Sequence, residues 1–466
     1  MKTYVLVGVG GRSVMFTDAL SGEFKKDSRL LALCDINKGR MELRKKELAD
    51  SCPDLKCYVS QDFEKMIQEN KPDCVIVCTK DSMHDVYICK ALEMGCDVIT
   101  EKPMTIDEKK CQRIVDTVKR TGKKVRVTFN YRYSPPRTQI KKLLLSGVIG
   151  KILSVEFQWL LDTNHGADYY RRWHRDKANS GGLMIHKATH HFDLINWWLG
   201  SYPQSVFAKG ERVFYNETQA KRYGLENHGK RCRDCSVSGK CNFFLDMEKF
   251  DAMKNLYLDN EKYDGYERDQ CIFSDEINIE DTMNVLVRYK NNVYMSYCLN
   301  SFTPWEGYHV AFNGTKGRLE QNCHESSYIS GDGRVQGAFQ PLESCIMVYP
   351  HFQTSYKVKV DEGEGSHGGG DIVMLNHIFG TPVADPLKRD ADYVQGAYSI
   401  LTGIAANKSM DSGKDIIIND LVSGLPEPEF AIIPDDEDIE FVKDTKRMLG
   451  EEVAEANIPM KISAPQ

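Results

Sequence analysis

Apolar positions in the first 130 residues come in short β-branched runs separated by longer stretches of helical spacing. Residues 3–7 and 30–34 predict buried strands, with a helix over 14–20 between them. A charged amphipathic helix follows over 38–50, then a strand at 58–60 and a helix at 63–69. Residues 74–79 and 97–100 predict two more strands, flanking a helix over 84–94 that Gly95 ends. A helix over 106–121 and a strand over 125–129 complete the series. Strands apolar throughout, alternating with helices, predict an α/β, doubly wound parallel sheet closing near Thr128. Farther along the period falls to two. Residues 284–289 and 293–299 predict a hairpin around Asn291-Asn292, and 310–320 a second strand–turn–strand. Residues 366–371 open a further helix, and 395–409 read as a packed one.

The turn after the first strand reads Gly8-Val9-Gly10-Gly11-Arg12-Ser13, and the second strand ends on Asp35. This is the layout of a dinucleotide site. Gly8 permits the tight turn and Gly10 lets backbone approach a pyrophosphate. Ser13 is small enough to stand where a third glycine is usual. The following helix N-terminus offers unpaired N–H groups to the anion. Asp35 is placed to hold a ribose 2′-hydroxyl, which favours NAD over NADP; Arg40, nearby in sequence, argues the other way.

Composition narrows the class. With 466 residues there is length for two or three domains, and 41% hydrophobic and 27% charged residues are ordinary for a globular protein. A net charge of −6 gives no reason to expect nucleic acid or an anionic membrane as partner. No apolar run reaches spanning length, and the N-terminus enters a strand without a signal-peptide pattern, so a cytoplasmic protein is expected. Most of the fifteen cysteines, Cys74 and Cys78 among them, are then expected as free thiols.

Two loops carry a resemblance. Thr79 and His84 stand where a Thr-Pro-x-x-x-His loop has its ends, with Lys80 replacing the proline, and Glu101-Lys102-Pro103 follows the next strand. Similar segments continue through Asn130-Tyr131-Arg132-Tyr133-Ser134-Pro135, Gly147-Val148-Ile149-Gly150 and Gly181-Gly182 to Asp193. Together they resemble the Gfo/Idh/MocA oxidoreductases. The resemblance implies a Rossmann NAD-binding domain over 1–128 and a substrate and oligomerisation α+β domain over 129–420, built on an open, mostly antiparallel sheet. Within the latter, 201–281 is a cysteine-containing insertion, and 421–466 a C-terminal extension. The acidic run 434–438 reads as solvated surface and the last dozen residues as an extended arm. The resemblance also implies a homo-dimer or homo-tetramer. Its cofactor contacts would be Gly8, Gly10, Gly11, Arg12, Ser13, Asp35, Thr79, His84, Glu101, Lys102 and Asn130.

The implied chemistry is NAD-dependent hydride transfer at a hydroxyl or keto group of a sugar, sugar derivative or polyol. Lys102 would relay the hydroxyl proton and steady the developing oxyanion. His186, His190 and Asp193 fall at i, i+4 and i+7 and so on one helical face. His190 matches the family's histidine, whereas His186 stands where an aspartate is usual. Both are expected to be catalytic, with Asp193 structural and Lys187 on another side of the helix. Arg132, Tyr170, Arg172, Trp173, Lys187 and His367 join Lys102 and His190 as expected substrate contacts. Trp159, Asp162 and the 305–308 segment are weaker candidates at the pocket edge. Two other classes compete. One is glycoside hydrolysis or elimination through transient sugar oxidation by bound NAD; the other is a nucleotide sensor without turnover.

The insertion holds Cys232-Arg233-Asp234-Cys235, then Cys241 and Cys271, with His228 as a competing fourth ligand. This spacing predicts a structural zinc stapling a segment with little core of its own, against the alternatives of an iron–sulfur cluster or four free thiols. A catalytic metal is not expected, since the histidine cluster has no matched carboxylate or cysteine partner.

Overall fold

The computed structural model describes residues 1–327, 344–363 and 366–436, with backbone alone at 326–327 and 366–367. The C-terminal arm and most of the final extension lie outside the described residues.

Strands β1 (Lys2–Val7), β2 (Ser28–Asp35), β3 (Lys56–Val59), β4 (Cys74–Val77), β5 (Asp97–Thr100) and β6 (Val125–Val127) form a parallel sheet in the order β3-β2-β1-β4-β5-β6. Helices α1 (Ser13–Ser21), α2 (Lys38–Glu47), α3 (Phe63–Asn70), α4 (His84–Glu93) and α5 (Glu108–Thr121) connect the strands. Every residue of β4 is buried, as a strand covered on both faces requires. Boundaries follow local caps. Asn37 accepts the Arg40 N–H to start α2, and Asp107 accepts that of Lys110, so α5 begins later than its apolar pattern. The last strand stops at Val127 because Asn130–Tyr133 winds into a 3₁₀ turn. Strand order reverses between β1 and β4, which opens a crevice at their carboxyl ends.

The second sheet contains β7 (Ile152–Asp162), β8 (Pro203–Glu211), β9 (Thr282–Tyr289), β10 (Tyr294–Thr303), β11 (Trp305–Gly314), β12 (Gly317–Ser327), β13 (Cys345–Pro350), β14 (Tyr356–Val358) and β15 (Ile416–Ile417). Its order is β14-β13-β12-β11-β7-β10-β9-β8-β15, antiparallel except for the β10–β7 pair. The β9–β10 hairpin turns at Asn291-Asn292, with Asn292 left-handed at φ 61°. The helix Tyr393–Ser412, started by a reciprocal Asp392–Gln395 cap, packs on β8, on the helix Ala188–Leu199 and on α5. Among the described residues, no helix is long and apolar enough to cross a membrane.

Two expectations about the insertion change. Residues 203–211 are β8 of the sheet, so the excursion begins at Arg212. It also has its own core. Phe214, Tyr215, Phe243 and Phe273 meet at ring-centroid distances of 5.0–6.4 Å. Asp281, at the far end, accepts the N–H groups of Val213, Phe214 and Tyr215 at 2.7–3.0 Å, which ties exit to entry.

Candidate active site

The crevice is a cleft of about 1250 Å³ running from the glycine turn past Lys102 and His186 to the insertion. At its outer end Gly8 has φ +92°, and a Cβ there would stand 2.5 Å from the carbonyl of Cys78. Only glycine fits. The Cβ position of Gly10 meets nothing within 4 Å, so backbone faces open space. Gly11, Arg12, Asp35 and Thr79 line the same space. Ser13 lies beneath it, donating its hydroxyl to the Gly10 carbonyl at 2.7 Å. Asp35 accepts the backbone N–H groups of Val9 and Asn37. An open glycine turn, a helix N-terminus and a carboxylate after β2 fit the pyrophosphate and adenosine ribose of a dinucleotide.

Three expected cofactor residues act as braces. Glu101 accepts the Arg12 guanidinium at 3.0 Å and the Thr128 hydroxyl at 3.0 Å. The His84 ring bridges the carbonyls of Pro103 (2.8 Å) and Thr79 (3.1 Å). Burial lowers its pKa, so the neutral ring has one N–H to give to them. Asn130 donates to Asp371 at 2.6 Å and does not line the cleft.

At the inner end Lys102 donates to the His186 carbonyl at 3.1 Å. Burial pushes its pKa down to about 8, against the pull of Asp81 and Glu101. His186 Nδ1 lies 2.5 Å from Asp81 Oδ2. Burial raises the pKa of Asp81 and lowers that of His186. At this separation the carboxyl and the imidazole share a proton, and burial disfavours a bare charge on either group. His174 packs edge-on against His186 with centroids 4.1 Å apart, and its other side stacks on Trp173 at 3.7 Å. His190 stacks flat on Tyr131, with centroids 4.2 Å apart.

The expected single helix carrying the histidines is broken. Leu183–His186 and Ala188–Leu199 are separate helices joined at Lys187. Lys187, at the break, lines the cleft together with His190 three positions on. Its ammonium lies 3.6 Å from Glu306 and donates to the Tyr131 hydroxyl at 3.4 Å. Glu306 also meets His165 at 2.9 Å. Burial would raise its pKa, but His165 and Lys187 hold it at about 2, so it is ionised.

Arg172 and Trp173 line the cleft. Arg132 does not: it is fully buried in a two-pronged ion pair with Asp193, at 2.6 and 2.8 Å. Tyr170 is likewise away from the cleft, stacked on Tyr215 and donating to the Glu280 carbonyl. Trp159 is a core ring stacked on His191, and Asp162 caps the helix Thr163–Arg171. His367 is on a short 3₁₀ turn, and its side chain lies outside the described residues. Tyr169 and His174, the ends of an aromatic and basic stretch that the sequence offers for sugar contact, line the cleft, whereas sequence reasoning missed Asp81, His165 and the insertion's Tyr257, Asp264, Tyr266 and Arg268 in the same lining. Asp81 had a signal in its place between Thr79 and His84; the insertion residues had none, because docking across long sequence separation brings them there.

Cys232, Cys235, Cys241 and Cys271 do converge, with His228, on one small cavity. All four are free thiols; Gly229 N–H points at Cys235 and His228 Nδ1 lies 3.3 Å from Cys271. Yet no group of three or more His, Cys, Asp or Glu among the described residues is arranged to hold a metal ion. The expected structural zinc is therefore unsupported, and the aromatic core gives the insertion what the ion was expected to supply.

A parallel sheet with a dinucleotide crevice, joined to a mostly antiparallel sheet whose helices close that crevice, defines a Rossmann-type oxidoreductase. Residues 2–129 match the model of an oxidoreductase family's NAD-binding Rossmann fold, and 141–418 match that of its C-terminal alpha/beta domain. The chain belongs to the Gfo/Idh/MocA oxidoreductase family. It is 37% identical over 433 residues to YteT of Bacillus subtilis (strain 168), a protein named as an oxidoreductase, covering 90% of this chain and 99% of that one. It is 28% identical over 167 residues to an inositol 2-dehydrogenase/D-chiro-inositol 3-dehydrogenase of Lactiplantibacillus plantarum, covering 36% of this chain and 43% of the relative. The solved structure of the WlbA dehydrogenase from Bordetella pertussis, in complex with NADH and UDP-GlcNAcA, shares the fold. It matches with TM-score 0.59 at 16% identity over 90% of this chain and 99% of that one.

Proposed function

We propose that the protein is an NAD-dependent dehydrogenase that acts on a hydroxyl of a sugar, sugar derivative or polyol. The observation that carries this reading is a buried lysine, Lys102, with its pKa near 8, set where the dinucleotide crevice meets a pocket lined by polar and aromatic groups. NAD, bound with its adenosine ribose at Asp35, supplies the hydride acceptor. Lys102 in its neutral form takes the hydroxyl proton. His190, Lys187 and Arg172 hold the neighbouring oxygens, while Trp173 gives an apolar ring face a partner. The hydrogen-bonded Asp81–His186 pair stands beside Lys102 and orients the hydroxyl. Family relatives named for inositol oxidation favour a polyhydroxylated ring as substrate. We place subunit pairing on the open sheet face, where Leu286 and Tyr294 are exposed.

The pH dependence follows from Lys102. Oxidation needs the neutral amine, so kcat/KM for the alcohol is expected to rise with pH and level off above about 8. Carbonyl reduction needs the ammonium and should fall through the same range. Initial rates in both directions across pH check this; a flat profile would remove Lys102 as the proton carrier.

The reading is tested by following reduced-nicotinamide absorbance with NAD and a panel of sugars, polyols and aryl glycosides. Steady growth with a free sugar or polyol is expected. Aglycone release without net growth would instead mark redox-assisted glycoside cleavage.

A further inference from the structure

The insertion does more than border the substrate pocket, for it is docked on the turn that receives the adenosine ribose. The Asn37 amide donates to the Asn260 carbonyl at 2.9 Å. Gly39 lies so close under Asn260 and Tyr263 that a Cβ would overlap both side chains. The Tyr257 hydroxyl accepts the Gly11 N–H at 3.2 Å. Asp264 pairs with Arg40, whose guanidinium also stands 3.6 Å from Asp35. Arg40 and both carboxylates are buried.

This arrangement bears on the choice between two dinucleotides. An NADP-binding site of this fold needs a free cation after β2 to meet the 2′-phosphate. Arg40 occupies the place from which it could serve. Here it is held between two acidic side chains, Asp35 and Asp264. A phosphate entering this cluster would meet like charge and a guanidinium already engaged. An NAD ribose brings no charge and loses nothing.

We propose that Asp264, supplied by the insertion, is a specificity-determining residue that selects NAD over NADP by engaging Arg40. This rests on the reading that the cleft binds a nicotinamide dinucleotide. Asp35 sets a preference that the sequence shows; Asp264 engages Arg40, the arginine beside it that would oppose that preference. The insertion thereby acts on the cofactor as well as the substrate.

The test compares NADH and NADPH dissociation constants, measured by nicotinamide fluorescence, for the wild-type chain and for Asp264→Asn, Asp264→Ala and Asp264→Glu. Wild type should favour NADH. Asp264→Asn and Asp264→Ala should shift the ratio of the two constants toward NADPH by about tenfold or more, the size of one released charge-assisted contact. Asp264→Glu should keep the wild-type ratio. Adding Arg40→Leu to Asp264→Asn should remove the gain, since the freed guanidinium is what binds the phosphate. Wild type that binds NADH while the neutral variants leave the ratio unmoved would overturn this inference alone. Wild type that binds neither dinucleotide would overturn the cofactor reading and this inference with it.

Discussion

Replacing Lys102 by methionine is expected to lower kcat for substrate oxidation by about 10²–10⁴-fold, the usual contribution of one positioned acid–base group. Methionine keeps the length and the packing of a buried stem and removes only the amine. NADH should still bind, because Gly8, Gly10 and Asp35 hold the far end of the cleft. Lys102→Arg should not restore the rate. A guanidinium keeps the charge beside Asp81 but does not release its proton in the working range. The variant should therefore also lose the rise in rate through pH 8 that the lowered lysine pKa gives the wild type. Stopped-flow rates with NAD, together with NADH fluorescence titration, separate the two effects. Full activity in Lys102→Met would move the chemistry to another group.

Arg132→Leu is expected to destabilise the fold by about 3–5 kcal/mol, because it leaves the Asp193 carboxylate buried without its partner. The pair ties the turn after β6 to the helix Ala188–Leu199, and both side chains are shut off from solvent. Changing both residues to apolar ones of similar volume should recover most of the loss, since no lone charge then remains. Urea unfolding of the two single variants and the double variant measures this directly. A nearly unchanged midpoint in Arg132→Leu would contradict the structural role and reopen a place for Arg132 at the substrate.

The contrast between these residues shows where a sequence speaks. Lys102 was legible because a fixed triplet follows a fully apolar strand, and parallel strands buried on both faces must read that way. Gly8 was legible for a related reason: its conformation and its contact with Cys78 exclude every side chain. His186 and His190 do line the cleft, but the break at Lys187 was not legible. Helical spacing continues across residues 183–199, so periodicity does not register the interruption at Lys187. Arg132 lay inside a family-like segment, and only packing shows that Asp193 claims it.

The insertion was least legible. Its four cysteines were correctly grouped, yet spacing cannot say whether sulfurs that converge also stand as ligands. Its aromatic core was hidden because Phe214, Phe243 and Phe273 follow no single period. Docking on Gly39 and Arg40 joins residues more than two hundred positions apart, and no local pattern encodes such a contact.

On the proposed reading, hydride passes from a substrate carbinol carbon to a nicotinamide seated beside Lys102. The most direct measurement uses a substrate deuterated at that carbon, with mass analysis of the nicotinamide formed and rates compared with the unlabelled compound. Deuterium carried into the reduced nicotinamide, with a slowed hydride-transfer step, is the expected result. Product formed with the label released to solvent, or formed at equal rate without labelled nicotinamide, would contradict the account.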